Sequence, residues 1–376
     1  MRSAIAFEKY SLLGNTFLLV DEASTPLGDD CERAGFARWA LDGYFGVGGA
    51  DNVIYLASLN QAPDGPYSFR IFEQDGAETL SCGNGLLSVA ALLARGGTGT
   101  QWRVLTELPT GRPRAVRVGV LSDSGGAWVD MGRPRAVPAA LFRPGGGVAP
   151  DGVEALDDLR VDFPPHQDWA WGLPASITLS GWLVFTGEPH IVLVVGHGLP
   201  AELCDRLFPE PDSEIGGESA GQEPSLRLLD SNALVDHIGS SVNARYRSQF
   251  PHGVHLNLVE VRDQAGLLRY RTWERAINLE TLACGTGALA CAYVSWTRRL
   301  TAPGRTTLWP HRCRWYAPDA ALHVTDTPQG LILEGRPRHV CSGVVPSGAW
   351  SGVRRARPAA LSPVPHADSG RLDIHG

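Results

Sequence analysis

A chain of 376 residues, 43% of them hydrophobic, can bury substantial cores and fits two domains better than one. Its formal charge of −7 and lack of a basic run exclude the electrostatic footprint of a nucleic-acid binder, and no apolar stretch approaches the ~20 residues of a membrane span. Seven cysteines, an odd number scattered without a CxxC pair, exclude a disulfide framework and a common zinc site.

The N-terminus meets charge too early for a signal peptide, so a reducing cytoplasm with free thiols is the expected setting. Ile5 to Tyr10 and Phe17 to Val20 read as strands around a Gly14-Asn15 turn, the second apolar throughout as a buried strand should be. Val53 to Leu56 and Tyr67 to Phe72 follow as strands, with a turn at Asp75-Gly76. A helix from about Gly85 to Ala94 should stop at Gly96-Gly97. Strands at Val116 to Val120 and Ala127 to Met131 lead to a Pro/Gly/Arg-rich linker over 133–147. Beyond it, Leu183 to Gly187 and Ile191 to Val195 read as strands and Pro200 to Leu207 as a short helix. The Gly/Pro/Glu-rich stretch 209–224 reads as a mobile insertion. Strands return at His255 to Val261 and Leu268 to Trp273, before a second helix. The segment 351–376 is expected to be a disordered tail.

Two cassettes stand out along this path. Glu78-Thr79-Leu80-Ser81-Cys82-Gly83-Asn84-Gly85 and Glu280-Thr281-Leu282-Ala283-Cys284-Gly285-Thr286-Gly287 each place a cysteine before a small-residue turn that opens an apolar helix. A helix N-terminus offers free amides and a positive dipole end, which favour a thiolate and can also hold a carboxylate. Two such thiols suit two-sided proton transfer, with the glycines letting a ligand reach the backbone. The bland reading of any lone cysteine is a structural one. It fits Cys31, Cys204, Cys313 and Cys341, and also Cys291, two helical turns after Cys284 in an apolar stretch. Matching turns make it a poor reading of Cys82 and Cys284.

With these cassettes, an ordered set of motifs resembles the diaminopimelate epimerase family over about residues 5 to 345. The set comprises Phe7-Glu8-Lys9-Tyr10 with Gly14-Asn15-Thr16-Phe17, Gly49-Ala50-Asp51-Asn52, Phe69-Arg70-Ile71-Phe72 with Asp75-Gly76, Gly187-Glu188-Pro189-His190, Phe250-Pro251 with Asn257 to Val261, and Trp273-Glu274-Arg275. The resemblance implies an α/β (α+β) fold of two pseudo-symmetric domains, each a curved sheet around a central helix, with the active site in the cleft between them. Residues 1–132, joined by a returning strand near 336–348, would form one domain around Cys82; residues 133–335 would form the other around Cys284. It further implies a pyridoxal-phosphate-independent isomerase that uses Cys82 and Cys284 as exchanging base and acid, with no cofactor and no metal. The expected partner is a small-molecule amino acid, without nucleic acid or membrane and with a homodimer allowed for.

The pocket positions that the resemblance brings are Asn15, Asn52, Glu73, Gly83, Asn84, Glu188, His255, Glu274, Arg275, Gly285 and Thr286. Three depart from the family's pattern, since Glu73, Glu188 and His255 stand where asparagines are usual. Buried carboxylates require partners, so this exchange points away from a substrate with a second amino-acid head group and toward one with a cationic or imidazole side chain. Other readings stay open: Glu73 or Glu188 neutralises Arg275, or the loop Arg275 to Glu280, one residue longer than usual, shifts the alignment. True diaminopimelate epimerisation, or a silent binding protein on the same scaffold, are the competing functions. A thiol–disulfide exchanger is disfavoured, because the cysteines do not form a CxxC pair.

Overall fold

The computed structural model describes residues 4–350 apart from 26, 61–64, 98, 109–112, 123–124, 140, 144–151, 164–172, 211–225 and 347. The expected tail at 351–376 therefore lies outside the described residues, as do nearly all of the expected insertion and the glycine-rich end of the expected linker.

The first half opens with the hairpin of β1 (Ile5–Leu12) and β2 (Asn15–Asp21). Its turn needs glycine twice over. Gly14 has φ 90°, and a Cβ there would lie 2.2 Å from Leu282 Cδ1, where the second half's chain passes. Then come α1 (Asp30–Ala40), β3 (Asn52–Ser58), β4 (Tyr67–Phe72), β5 (Glu78–Thr79), α2 (Gly83–Arg95), β6 (Gln101–Thr106), β7 (Arg114–Val120) and β8 (Ala127–Gly132). The second half runs β9 (Val153–Asp162), β10 (Ser176–Phe185), β11 (Pro189–Val195), β12 (Gly198–Leu199), α3 (Cys204–Leu207), α4 (Leu226–Tyr246), β13 (His255–Asp263), β14 (Leu267–Glu274), β15 (Leu279–Thr281), α5 (Gly285–Thr297), β16 (Arg305–Pro310), α6 (His311–Arg314), β17 (Leu322–Thr327) and β18 (Gly330–Gly335). The last strand, β19 (Arg338–Val345), returns to pair antiparallel with β1.

Strand pairing repeats between the halves. Along β19-β1-β2-β3-β4-β6-β7-β8 the neighbours are antiparallel, antiparallel, parallel, antiparallel, parallel, antiparallel and antiparallel. Along β9-β10-β11-β13-β14-β16-β17-β18 the same series recurs. An antiparallel seam between β8 and β18 joins the two runs into one continuous sheet.

Alternation along the strands explains why several are apolar on both faces. From β2 and β3, Phe17, Leu19 and Ile54 turn inward onto α2, while Leu18, Val20, Val53 and Tyr55 turn outward onto α1. In the second half α5 fills the concave side, while Leu234, Val235 and Ile238 of α4 cover Leu256, Leu258 and Trp273 on the other face. Neither α1 nor α4 was legible in the sequence: their many polar residues weaken the apolar stripe, and only the Asp29 cap on the Glu32 amide marks the start of α1. Cys291, as expected, is fully buried within α5. Among the described residues no helix is long and apolar enough to cross a membrane.

Candidate active site

Each cysteine sits where a short returning strand becomes a helix. Cys82 and Cys284 are extended N-cap residues, with φ −144° and −130°. Their sulfurs accept from the amides of Gly85 and Gly287, both at 3.4 Å. The sequence placed the first helix start near Gly85; it begins two residues earlier at Gly83, because a cysteine caps the helix where Ser, Asp or Asn would ordinarily signal one.

The glutamate of each cassette explains how the cap is held. Glu78 forms a bidentate pair with Arg70 of β4 at 2.7 and 2.5 Å, and Glu280 with Arg271 of β14 at 2.6 and 2.5 Å. Each pair ties the short strand before a cysteine to the long strand beside it.

The two helix starts meet. A Cβ on Gly285 would lie 2.6 Å from Asn84 Oδ1 and 3.0 Å from Asn84 N, and a Cβ on Gly83 would lie 3.4 Å from the carbonyl carbon of Gly285. Leu333 of β18 lies under both glycines, 2.9 Å from either added carbon. Only glycine permits this approach, and the sequence reading had credited these glycines solely to ligand access.

Both cysteines line one cavity of about 660 Å³ between the halves. Its other walls come from equivalent places in the repeat. Asn15 opens β2 just after the β1–β2 turn and Glu188 closes the β10–β11 turn, Asn52 and His255 begin β3 and β13, and Glu73 and Glu274 come directly after Phe72 and Trp273. Arg275, Gly83, Gly285 and Thr286 also line it. Asn84 alone of the expected pocket residues does not. It is wholly buried behind the wall, where its Nδ2 donates to Asn15 Oδ1 at 2.6 Å and its Oδ1 finds no partner among the described residues.

Charges in the cavity are unevenly paired. Glu188 Oε2 accepts from Arg275 at 2.6 and 3.2 Å, and Glu188 Oε1 from Thr79 at 2.8 Å, bridging the halves. Arg275 also donates to the His252 carbonyl at 3.1 Å. Glu274 accepts from Thr281 at 2.5 Å and forms no ion pair among the described residues. Burial raises its pKa to about 7, with Asp51, Glu73 and Glu188 adding to the rise against the Thr281 hydrogen bond. Burial likewise raises Glu73 to about 7, against the pull of Arg275. Asp51 is also raised by burial, although the Thr16 amide donates to it at 2.6 Å. His255 is held neutral by burial and by its neighbours His190 and Arg275.

Burial also governs the thiols, and here the structure corrects a sequence expectation. The helix amides do favour the thiolates, yet desolvation outweighs them, pushing Cys82 up to about 12 and Cys284 well above its ordinary range. The carboxylate of Glu274 raises both further. The unliganded site therefore holds two thiols at neutral pH. A cation beside Glu274 would offset the part of that rise its carboxylate causes.

Sequence reasoning passed over Asp51, Thr79 and Ser81, which also line the cavity. Thr79 had a signal, since its counterpart Thr281 recurs in the second cassette. Asp51 lay inside a quoted motif without a role, and Ser81, whose buried hydroxyl has no partner among the described residues, had none at all.

The sequence profile of diaminopimelate epimerase matches residues 7–137. A diaminopimelate epimerase from Synechococcus elongatus is 31% identical over 292 residues, covering 76% of this chain and 81% of its own. One from Microcystis aeruginosa is 27% identical over 353 residues, covering 91% and 99%. Among solved structures, a hydroxyproline epimerase from Agrobacterium vitis, with bound trans-4-hydroxy-L-proline, shares the fold at TM-score 0.55 and 14% identity, over 92% of this chain and 94% of that one.

Proposed function

Because this chain belongs to the diaminopimelate epimerase family of isomerases, we propose that it inverts the α-carbon of an amino acid through Cys82 and Cys284, on a substrate with a cationic or imidazole side chain. The observation that carries the substrate reading is the Arg275–Glu188 ion pair, which engages the cavity's arginine and leaves Glu73 and Glu274 without a paired cation among the described residues.

The chemistry follows from these groups. The α-carboxylate sits at the facing starts of α2 and α5, whose free amides also take up the charge that grows on it as the α-proton leaves. The α-ammonium lies against Glu274, neutralising the carboxylate that lifts both thiols, so ligand binding itself eases formation of one thiolate. That thiolate takes the α-proton from one face and becomes a thiol. The opposite thiol gives its proton to the other face and becomes the thiolate. Atoms and charge balance without a cofactor, and the roles reverse for the other hand of the substrate. Glu73 receives the side-chain cation.

The names of the curated relatives favour a second reading, diaminopimelate itself. Its distal carboxylate would need Arg275 to release Glu188. Incubation in heavy water with diaminopimelate, lysine, ornithine, arginine, histidine and glutamate, followed by NMR of α-proton exchange, separates the two. Exchange of a basic amino acid supports the proposal, and exchange restricted to diaminopimelate overturns its substrate reading. Glu188→Gln should free Arg275 and improve any substrate with a distal carboxylate.

A further inference from the structure

Behind Cys284 runs a buried chain of hydrogen bonds that has no counterpart behind Cys82 among the described residues. The Thr272 hydroxyl donates to Asn257 Oδ1 at 2.9 Å, and Asn257 Nδ2 lies 2.9 Å from His190 Nδ1. His190 Nε2 lies 3.0 Å from the Thr286 hydroxyl, which is 3.4 Å from the Cys284 sulfur. All five residues are buried, Asn257 and His190 completely. The repeat equates these positions, in the same order, with Ile71, Ile54, Phe17, Asn84 and Cys82. Three of those four supporting residues are apolar, and the amide of the fourth is turned to Asn15.

We propose that Asn257 is a positioning residue for Cys284, acting through His190 and Thr286; this rests on Cys284 being one of the two proton-transfer groups. A neutral imidazole carries one N–H, and an amide nitrogen donating to Nδ1 leaves that hydrogen on Nε2. Nε2–H then donates to the Thr286 oxygen, and the single hydroxyl hydrogen of Thr286 turns to the sulfur. Burial keeps His190 neutral, at about 3, so no proton passes along the chain. Its effect is to add a side-chain donor to the helix amides around the Cys284 sulfur, something Cys82 lacks among the described residues.

Two readouts on the full-length protein test this without any turnover, so their result is independent of the substrate reading. Nitrogen-15 NMR of histidine-labelled protein should show His190 with its hydrogen on Nε2 and Nδ1 bare. Alkylation by iodoacetamide, mapped by mass spectrometry, should slow about tenfold at Cys284 in Asn257→Leu, the loss expected when a hydrogen bond that supports a charged group is removed. Cys82 should change by less than about twofold. Thr286→Val should reproduce the loss at Cys284 and covers the case where Asn257→Leu does not fold. A hydrogen on Nδ1 in the native protein, or equal slowing at both cysteines, would overturn the proposal.

Discussion

The first and second halves start a helix on a cysteine in the same way and then surround that cysteine differently. Strand order, pairing direction, cap geometry and the Arg–Glu tie beside each cap all repeat. What differs is how much water each copy keeps. Arg70 and Glu78 retain 18% and 12% side-chain exposure, and Arg70 also reaches the exposed Asp30; Arg271 and Glu280 retain none. The first cysteine is backed by hydrocarbon and the second by a polar chain. Duplication thus preserves the frame, while burial and polarity give two equivalent thiols distinct surroundings.

Predictions that break the symmetry run from large effects to small. Cys82→Ala and Cys284→Ala should each abolish epimerisation, by more than about 10³-fold, because neither thiol can serve both faces of the α-carbon. Retention of full turnover in either variant would refute the two-base reading. Arg271→Met should cost about 3–5 kcal/mol in urea unfolding, since it strands a fully buried carboxylate, whereas Arg70→Met should cost only about 1–2 kcal/mol. Equal losses would mean that burial does not distinguish the two ties.

The acidic cavity gives a pH signature of defined sign. Glu73 and Glu274 have folded-state pKa values near 7, above the ordinary carboxylate range, so each contributes stability that is lost as pH rises from about 4.5 through 7. His190 and His255, held neutral by burial, contribute in the opposite sense over the same window. The glutamate signature is therefore a difference: the melting temperature of Glu73→Gln relative to the native protein should rise with pH across that window, and an unchanged difference would remove Glu73 from this account. The smallest effect belongs to Cys291→Ala. It should leave turnover nearly intact and cost about 1 kcal/mol through a small cavity in α5, measurable in the same unfolding assay.

The legible parts of the sequence were those with local signatures. Tyr67 to Phe72 form β4 as read, because an apolar, aromatic-rich run ending near Asp75-Gly76 has few alternatives. Gly83 and Gly285 drew attention as part of the cassettes. Their second task of letting α2 and α5 touch is a long-range fact with no local trace. Glu73, Glu188 and His255 were noticed as departures, but which glutamate meets Arg275 is decided by the β10–β11 turn, which sets Glu188 beside Arg275 of the same half and against Thr79 across the cleft. Asn257 was quoted only as part of a motif. Its meaning comes from parity on β13, which points it inward at the site equivalent to Ile54.

The central claim is that two different groups handle the leaving and arriving protons, and hydrogen isotope tracing tests it most directly. An unlabelled substrate of one hand is converted in heavy water, and product and residual substrate are sampled early. Two thiols predict product carrying solvent deuterium at the α-carbon while residual substrate keeps its own hydrogen. Product that retains the substrate's hydrogen, or substrate that exchanges as fast as product forms, would contradict it.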